Sequence, residues 1–268
     1  MKSTLIVIKE HIKNFYLVLR LSLFELKSTN NNQYLGMLWE IINPMILIGI
    51  YWFVFGYGIR GGKGVDGIDY LPWMLTGIVV WFFISQALIQ GSKSIYSRIS
   101  IISKMNFSMS VIPSYVILSR IYQHFLITMI AMLILLFYGY MPSIYLIQLP
   151  YFMIATILVL LAISLITSTL STIIRDVHNI LQSVVRILFY LTPILWTIEN
   201  LPEPIQFFMK ANPFYYLVEG YRAALLGTNW YLVDHFYYTF YFWILVFGLL
   251  IVGSVLHVKF RNRFMDFL

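Results

Sequence analysis

The chain has 268 residues, 60% hydrophobic and only 11% charged, with a mean hydropathy of +0.81 and a formal charge of +7. Soluble domains hold roughly 45–50% apolar and about 25% charged residues, so a water-soluble fold could not cover this much apolar surface, and the bilayer is the expected solvent. The lack of cysteine excludes disulfides and thiolate metal sites, the five histidines show no ligand spacing, and the basic excess fits membrane headgroups better than nucleic acid.

At the amino terminus Lys9, Glu10, His11 and Lys13 interrupt any early apolar core, so the first span is expected to serve as an uncleaved insertion signal. At 100° per residue Lys2, Lys9, Lys13, Arg20 and Lys27 fall within a stripe of about 40°. Apolar flanks border it, with Leu5, Ile8, Ile12, Leu19 and Leu23 on one side and Ile6, Leu17 and Phe24 on the other. Such a helix can lie in the membrane interface with its lysine stems snorkelling to headgroups. Opposite the basic stripe, His11, Asn14 and Glu25 make a second polar strip. It belongs either to a plain membrane-surface helix or to a contact with another protein.

Six apolar runs follow, near 37–59, 70–90, 112–138, 149–174, 180–199 and 236–258. Helix is the required conformation, because an open strand leaves backbone groups unpaired in lipid. The expected fold is therefore all-α, one membrane domain over 1–268, with an interfacial helix over 1–36 and six transmembrane helices. Twelve Lys or Arg lie in segments 1–36, 91–111, 175–179 and 259–268, against four in 60–69, 139–148 and 200–235. That asymmetry places both termini in the cytoplasm.

Chemistry of its own is not visible in the chain. The glycine-rich stretch 56–64 has Tyr57 and Gly64 where a phosphate loop ending on Lys63 needs Gly and Ser or Thr, and no other segment is long enough for a nucleotide-binding domain. In-span charges are limited to Glu40, Arg120 and Arg186, which argues against proton or sodium coupling. Aromatics make up 18% of residues, including Tyr51, Trp52, Phe55, Trp81 and the run 237–243. Interfacial belts explain most of them, but aromatic rings with tyrosine hydroxyls also suit a conduit for sugars. Between spans two and three, Ile95 and Ile99 at i,i+4 with Lys93, Arg98 and Lys104 nearby suggest a short amphipathic helix. The turn at Arg175-Asp176 either docks a partner or is simply solvated.

The runs 34–44 (YLGMLWEIINP), 71–78 (LPWMLTGI), Arg175-Asp176-Val177, 191–196 (LTPILW) and 212–222 (NPFYYLVEGYR) resemble, in order, type-2 ABC exporter permeases for lipid-linked polysaccharides. Within that family 51–62 (YWFVFGYGIRGG) is most similar to the wall teichoic acid translocation permeases of Gram-positive bacteria. The resemblance implies a plasma-membrane homodimer bound to two ABC ATPase subunits, which hold ATP and Mg while this chain binds no cofactor. It implies a cargo of undecaprenyl-diphosphate-linked polymer, with O-antigen or capsule polysaccharide as the alternative to teichoic acid. It also makes Lys93, Arg98, Ile99, Lys104, Arg175 and Asp176 candidates for ATPase coupling. Candidates for the translocation path are Trp39, Glu40, Tyr51, Trp52, Phe55, Trp81, Tyr190 and Trp196. Short re-entrant helices are expected between spans five and six, with Phe207, Phe208, Tyr215, Tyr216, Glu219 and Arg222 as outer-gate candidates. Lys104-Met105-Asn106-Phe107 runs into Ser108 where the family often has proline, which leaves the end of the coupling helix open. A stand-alone channel or secondary carrier is the rival of a different class.

Overall fold

The computed structural model describes residues 2–29, 34–98, 108–199 and 201–267. Two amino-terminal helices, α1 (Lys2–Lys13) and α2 (Phe15–Thr29), precede the bundle. Then come α3 (Trp39–Tyr51), which continues as a π-helical stretch over Trp52–Ile59, α4 (Tyr70–Ser92), α5 (Val111–Phe137), α6 (Leu149–Ile173) and α7 (Asp176–Leu191). The short helices α8 (Glu203–Lys210) and α9 (Pro213–Leu226) lead into α10 (Phe236–Phe260). Among the described residues no strand forms beyond one isolated bridge between Val65 and Ile68.

Five helical stretches are long and apolar enough to cross a membrane: Trp39–Ile59, Tyr70–Ser92, Val111–Phe137, Ile144–Ile173 and Phe236–Phe264. They coincide with five of the six expected spans to within a few residues. The remaining one, expected over 180–199, is different. Its helix, α7, is 16 residues long, about 24 Å at 1.5 Å per residue and short of a hydrocarbon core of about 30 Å. Pro193 is the cause: the residue before a proline is driven out of the helical region, and Thr192 sits at φ −82°, ψ 127°. The chain continues without helix through Thr192, Pro193, Ile194 and Leu195, all buried in protein. Non-helical backbone is tolerated at membrane depth only where protein covers it in this way.

Helix α4 is the axis of the bundle. It is apolar all round and packed by α5, α6, α7 and α9, with Met74, Leu75, Ile78, Val79, Val80, Ile84 and Ala87 fully buried. Helix α10 packs along α6, where a side chain at Gly253 would crowd the Ala162 carbonyl oxygen at 2.9 Å. A small residue is what allows the two backbones that approach. By contrast, the first span is only 17% buried, and its outward side is left for lipid or a partner.

At the end of the bundle that carries the basic excess, α2 packs on α5 and α1 on α10. A second, smaller core forms there from Val18, Ile95, Val111, Ile112, Tyr115, Val116 and Phe264. Lys2, Lys9, Lys13, Arg20 and Lys27 all face outward. The opposite polar strip is accounted for within the chain itself: His11 Nε2 bonds Ser114 Oγ, Glu25 takes Arg98, and Asn14 donates to the Glu10 carbonyl. Glu10 adds Ser110 and Arg261. The reading of this strip as a contact with another protein is therefore replaced by an internal one.

Helix α9 enters the bundle from the other end. Asn212 caps it, its Oδ1 accepting from the Phe214 amide at 3.0 Å, with Pro213 in the first turn. Gly227 closes it at φ 70°, the left-handed conformation that ends many helices. Both termini stay at that end, since Asn212 Nδ2 donates to Thr192 Oγ1 at 2.8 Å and Gly227 abuts Ser143. The middle reaches inward, where Tyr221 Oη meets His124 Nε2 at 2.9 Å halfway along α5.

Candidate functional site

An aromatic cluster forms where α3, α4, α7 and α9 converge, and its hub is Phe189 of α7. Ring centroids lie 5.3 Å away for Tyr51, 5.9 Å for Trp81 and 5.1 Å for Tyr190. Phe55 joins through Tyr51 at 6.4 Å, and Phe214 of α9 through Trp81 at 6.1 Å. Trp196 is held alongside, its indole N–H donating to the Tyr190 carbonyl at 2.9 Å. Five of the eight path candidates thus come together: Tyr51, Phe55, Trp81, Tyr190 and Trp196. The edge of the cluster is open, since Tyr190 is 61% exposed and continues an outward apolar row with Ile180, Val184 and Ile187.

The other three path candidates lie elsewhere. Trp52 turns toward Tyr57 at 5.2 Å and lines a separate hollow of about 230 Å³ with Asp69, Tyr70 and Tyr138. Trp39 is half-buried beside Glu40. Glu40 is drawn to α5: Arg120 Nη1 reaches its Oε1 at 3.4 Å, and Gln123 Nε2 donates to its carbonyl at 2.8 Å. An in-span carboxylate paired in this way pins α3 to α5.

At the α9 end, Glu219 and Arg222 form an ion pair one turn apart on the helix. Arg222 is buried, with its guanidinium 3.9 Å from the Trp73 ring centroid and its remaining donors directed to the Trp73 and Pro193 carbonyls, each at 3.4 Å. A buried cation is tolerable because carboxylate, ring and carbonyls replace its water. Tyr215 and Glu219 face a cleft that Phe207 closes from α8, whereas Phe208 points outward at 66% exposure. Tyr216 does not face the cleft. It is fully buried, its hydroxyl shared with Thr239 (2.9 Å) and Tyr151 (3.1 Å) and its ring stacked on Phe242 at 4.6 Å. It locks α9 to α6 and α10 through these contacts.

At the basic end, Arg98 is paired with Glu25 and donates to Ser94 O (3.3 Å) and Ser97 Oγ (3.1 Å). Lys93 is half-buried at the end of α4. Ile95 is fully buried in the smaller core, and the described part of this segment is a turn and one 3-10 turn over Tyr96–Arg98. Ile99 and Lys104, with the rest of 99–107, lie outside the described residues. Arg175 and Asp176 are both exposed at the tight turn between α6 and α7, and among the described residues no ion pair joins them.

One residue that sequence reasoning passed over connects these parts. His178 Nε2 accepts from Gln182 at 2.9 Å, which leaves Nδ1–H to donate to Ser92 Oγ at 2.7 Å. Its ring lies 6.2 Å from that of Tyr96. The end of α4, the segment after it and the start of α7 are therefore one connected unit.

Residues 16–226, from α2 to the end of α9, match the model of the ABC-2 type transporter membrane family. The chain belongs to this family. It is 30% identical over 247 residues to an O-antigen export system permease protein RfbA of Klebsiella pneumoniae, covering 91% of this chain and 92% of that one. A second RfbA from the same species is 28% identical over 251 residues, with the same coverage. An RfbA from Myxococcus xanthus is 24% identical over 203 residues, 74% of this chain and 76% of its own. Membership makes the chain a multi-pass membrane permease, whose work is transport, with ATP hydrolysis assigned to a separate ABC subunit.

Proposed function

We propose that the chain is the membrane half of an ATP-driven exporter of lipid-linked polysaccharide. The observation that carries this reading is end-to-end similarity to permeases of O-antigen export, over more than nine-tenths of both chains. Two copies work with two ABC ATPase subunits, which bind ATP and Mg, and this chain binds no cofactor. The basic end faces the cytoplasm, as its twelve-to-four share of Lys and Arg indicates. There the connected unit around Arg98, His178 and the exposed Arg175-Asp176 turn receives the ATPase. A second copy set against the outward sides of α3 and α7 encloses the aromatic cluster, giving a conduit of flat rings that sugar C–H faces can slide along.

For the cargo, the relatives favour an O-antigen-type polymer on an undecaprenyl diphosphate carrier. A second reading, wall teichoic acid in a Gram-positive bacterium, has one supporting feature, the resemblance of 51–62. Depletion of the chain in its own host tests both. Surface polysaccharide should fall while its lipid-linked precursor accumulates inside, and the purified chain should bring an ABC ATPase with it. An unchanged cell surface, or a chain that transports without any nucleotide-binding partner, would overturn the proposal, and the chemistry of the missing polymer decides between the two cargoes.

A further inference from the structure

Between α8, α9 and the start of α10 lies a cleft of about 650 Å³, within the range of about 300–1,000 Å³ usual for ligand sites. Its walls are rings, those of Phe207, Tyr215, Tyr231, Tyr238 and Tyr241, and its polar groups are Lys210, Glu219 and His235. Two of the rings are fixed by their hydroxyls, with Tyr241 donating to the Ala211 carbonyl at 2.9 Å and Tyr238 to the Asn212 carbonyl at 3.3 Å. Tyr215 and Glu219 also line a second hollow of about 90 Å³, whose far side holds Asp66, Trp196 and Glu199. The two hollows thus adjoin across Tyr215 and Glu219 as one groove.

Rigid aromatic walls with a few polar groups fit a sugar ring, which offers C–H faces to the one and hydroxyl edges to the other. An acyl chain in the same place would cover Glu219, His235 and Lys210 without giving them hydrogen bonds, which is costly. Charge narrows the class further. Across the two hollows, three carboxylates, Asp66, Glu199 and Glu219, outnumber two cations, Lys210 in the larger hollow and Arg222, which is already committed to Glu219 and to the Trp73 and Pro193 carbonyls. Sugar hydroxyls can donate to carboxylates, whereas a phosphate there meets like charge.

We propose that this groove is a binding subsite for uncharged pyranose units of the exported polymer and that it disfavours polymers with a phosphate in each repeat. The inference rests on the proposed polysaccharide cargo and separates its two chemical classes. The test uses the intact permease–ATPase complex in nanodiscs, with neutral hexasaccharides of glucose, mannose and galactose and a glycerol-phosphate hexamer as probes. Binding is read by equilibrium dialysis and by the fluorescence of the tryptophans that include Trp196. At least one neutral hexasaccharide should bind saturably, and Tyr215→Ala should weaken it by about tenfold, the loss of one stacking face. The surface substitutions Asp66→Asn with Glu199→Gln should raise affinity for the glycerol-phosphate hexamer relative to that for the neutral hexasaccharide, which keeps the test decisive if Tyr215→Ala fails to fold. Equal or tighter binding of the phosphate hexamer by the unaltered complex, no saturable neutral binding, or neutral binding indifferent to Tyr215→Ala in a folded complex would each overturn the subsite. None of these outcomes bears on export itself, which the depletion phenotype reports separately.

Discussion

Arg98, six residues beyond the end of α4, is ion-paired with Glu25 of α2, each side chain 17% exposed. The pair fastens the segment expected to meet the ATPase to a helix whose other side carries the exposed Arg20 and Lys27. Force applied at that segment is therefore shared with α2 and, through the smaller core, with α5. Arg98→Glu and Glu25→Arg should each reduce ATP-driven export, since losing a charged hydrogen bond in a partly shielded site costs roughly 1.5–3 kcal/mol. The double reversal should restore most of it. Export per ATP hydrolysed in proteoliposomes is the measurement, and a double reversal as poor as either single change would show that Arg98 acts on the ATPase without Glu25.

Burial holds His11 below the usual histidine value of about 6.5, against the smaller opposing pull of the Val7 carbonyl and Glu10. The docked helix thus keeps His11 neutral, while the undocked helix binds its proton more readily. Docking of α1 is fully present above about pH 6.5 and is lost progressively as the pH falls below that. Hydrogen exchange in α1 should quicken between about pH 7.5 and pH 5.5 beyond the intrinsic pH effect. In His11→Gln, which keeps a hydrogen-bonding group for Ser114 but does not titrate, that excess should vanish.

Five spans were legible because bilayer thickness fixes the length of an apolar run, and α4 and α6 obey it. The shortened α7 was not, because Ile194, Leu195 and Trp196 are as apolar as lipid-facing residues and hydropathy does not say whether protein or lipid covers them. The same ambiguity hid Phe189, which nothing in sequence distinguishes from its neighbour Tyr190, although one is the hub of the cluster and the other its open edge. On α9, which is apolar nearly all round, the helical phase was unreadable, so Tyr215 in the cleft and Tyr216 in the core could not be told apart. Glu219 with Arg222 was legible because i,i+3 spacing is local. Arg98 with Glu25 was not, because their separation in sequence is 73 residues.

Gly220 sits where α9 crosses α6, and a Cβ there would overlap the ring of Phe152, itself fully buried. Gly220→Ala should therefore unseat α9 and lower stability by about 1–3 kcal/mol, the range for overpacking. Gly49, which has open space around it, should accept alanine. Thermal unfolding of the two variants in the same detergent compares them directly, and equal melting temperatures would mean that α9 is not seated as described.

Arg175 and Asp176 are exposed, so alanine at either position should leave folding within about 1 kcal/mol of the parent. Export should nonetheless fall if this turn receives the ATPase. Comparing melting temperature with ATP-coupled export in both variants separates the two roles. Full export in both would make the turn a solvated connection only.

The contact between Tyr221 Oη and His124 Nε2, 2.9 Å long, links α9 to the middle of α5. Both side chains are buried, and His124 is stacked on Phe83 at 4.9 Å, so water cannot replace a lost partner easily. Tyr221→Phe removes only the hydroxyl and leaves the imidazole nitrogen unsatisfied, at a cost of about 1–3 kcal/mol. Replacing both partners with apolar groups, as in Tyr221→Phe with His124→Leu, removes the unsatisfied group together with the bond and should recover part of that loss. The double variant should therefore melt above the level expected from adding the two single changes, because groups in direct contact are not additive. Unfolding followed by intrinsic fluorescence in nanodiscs gives all four melting points. If the two changes simply add, the Tyr221–His124 hydrogen bond contributes nothing to holding α9, and its other contacts keep it in the bundle.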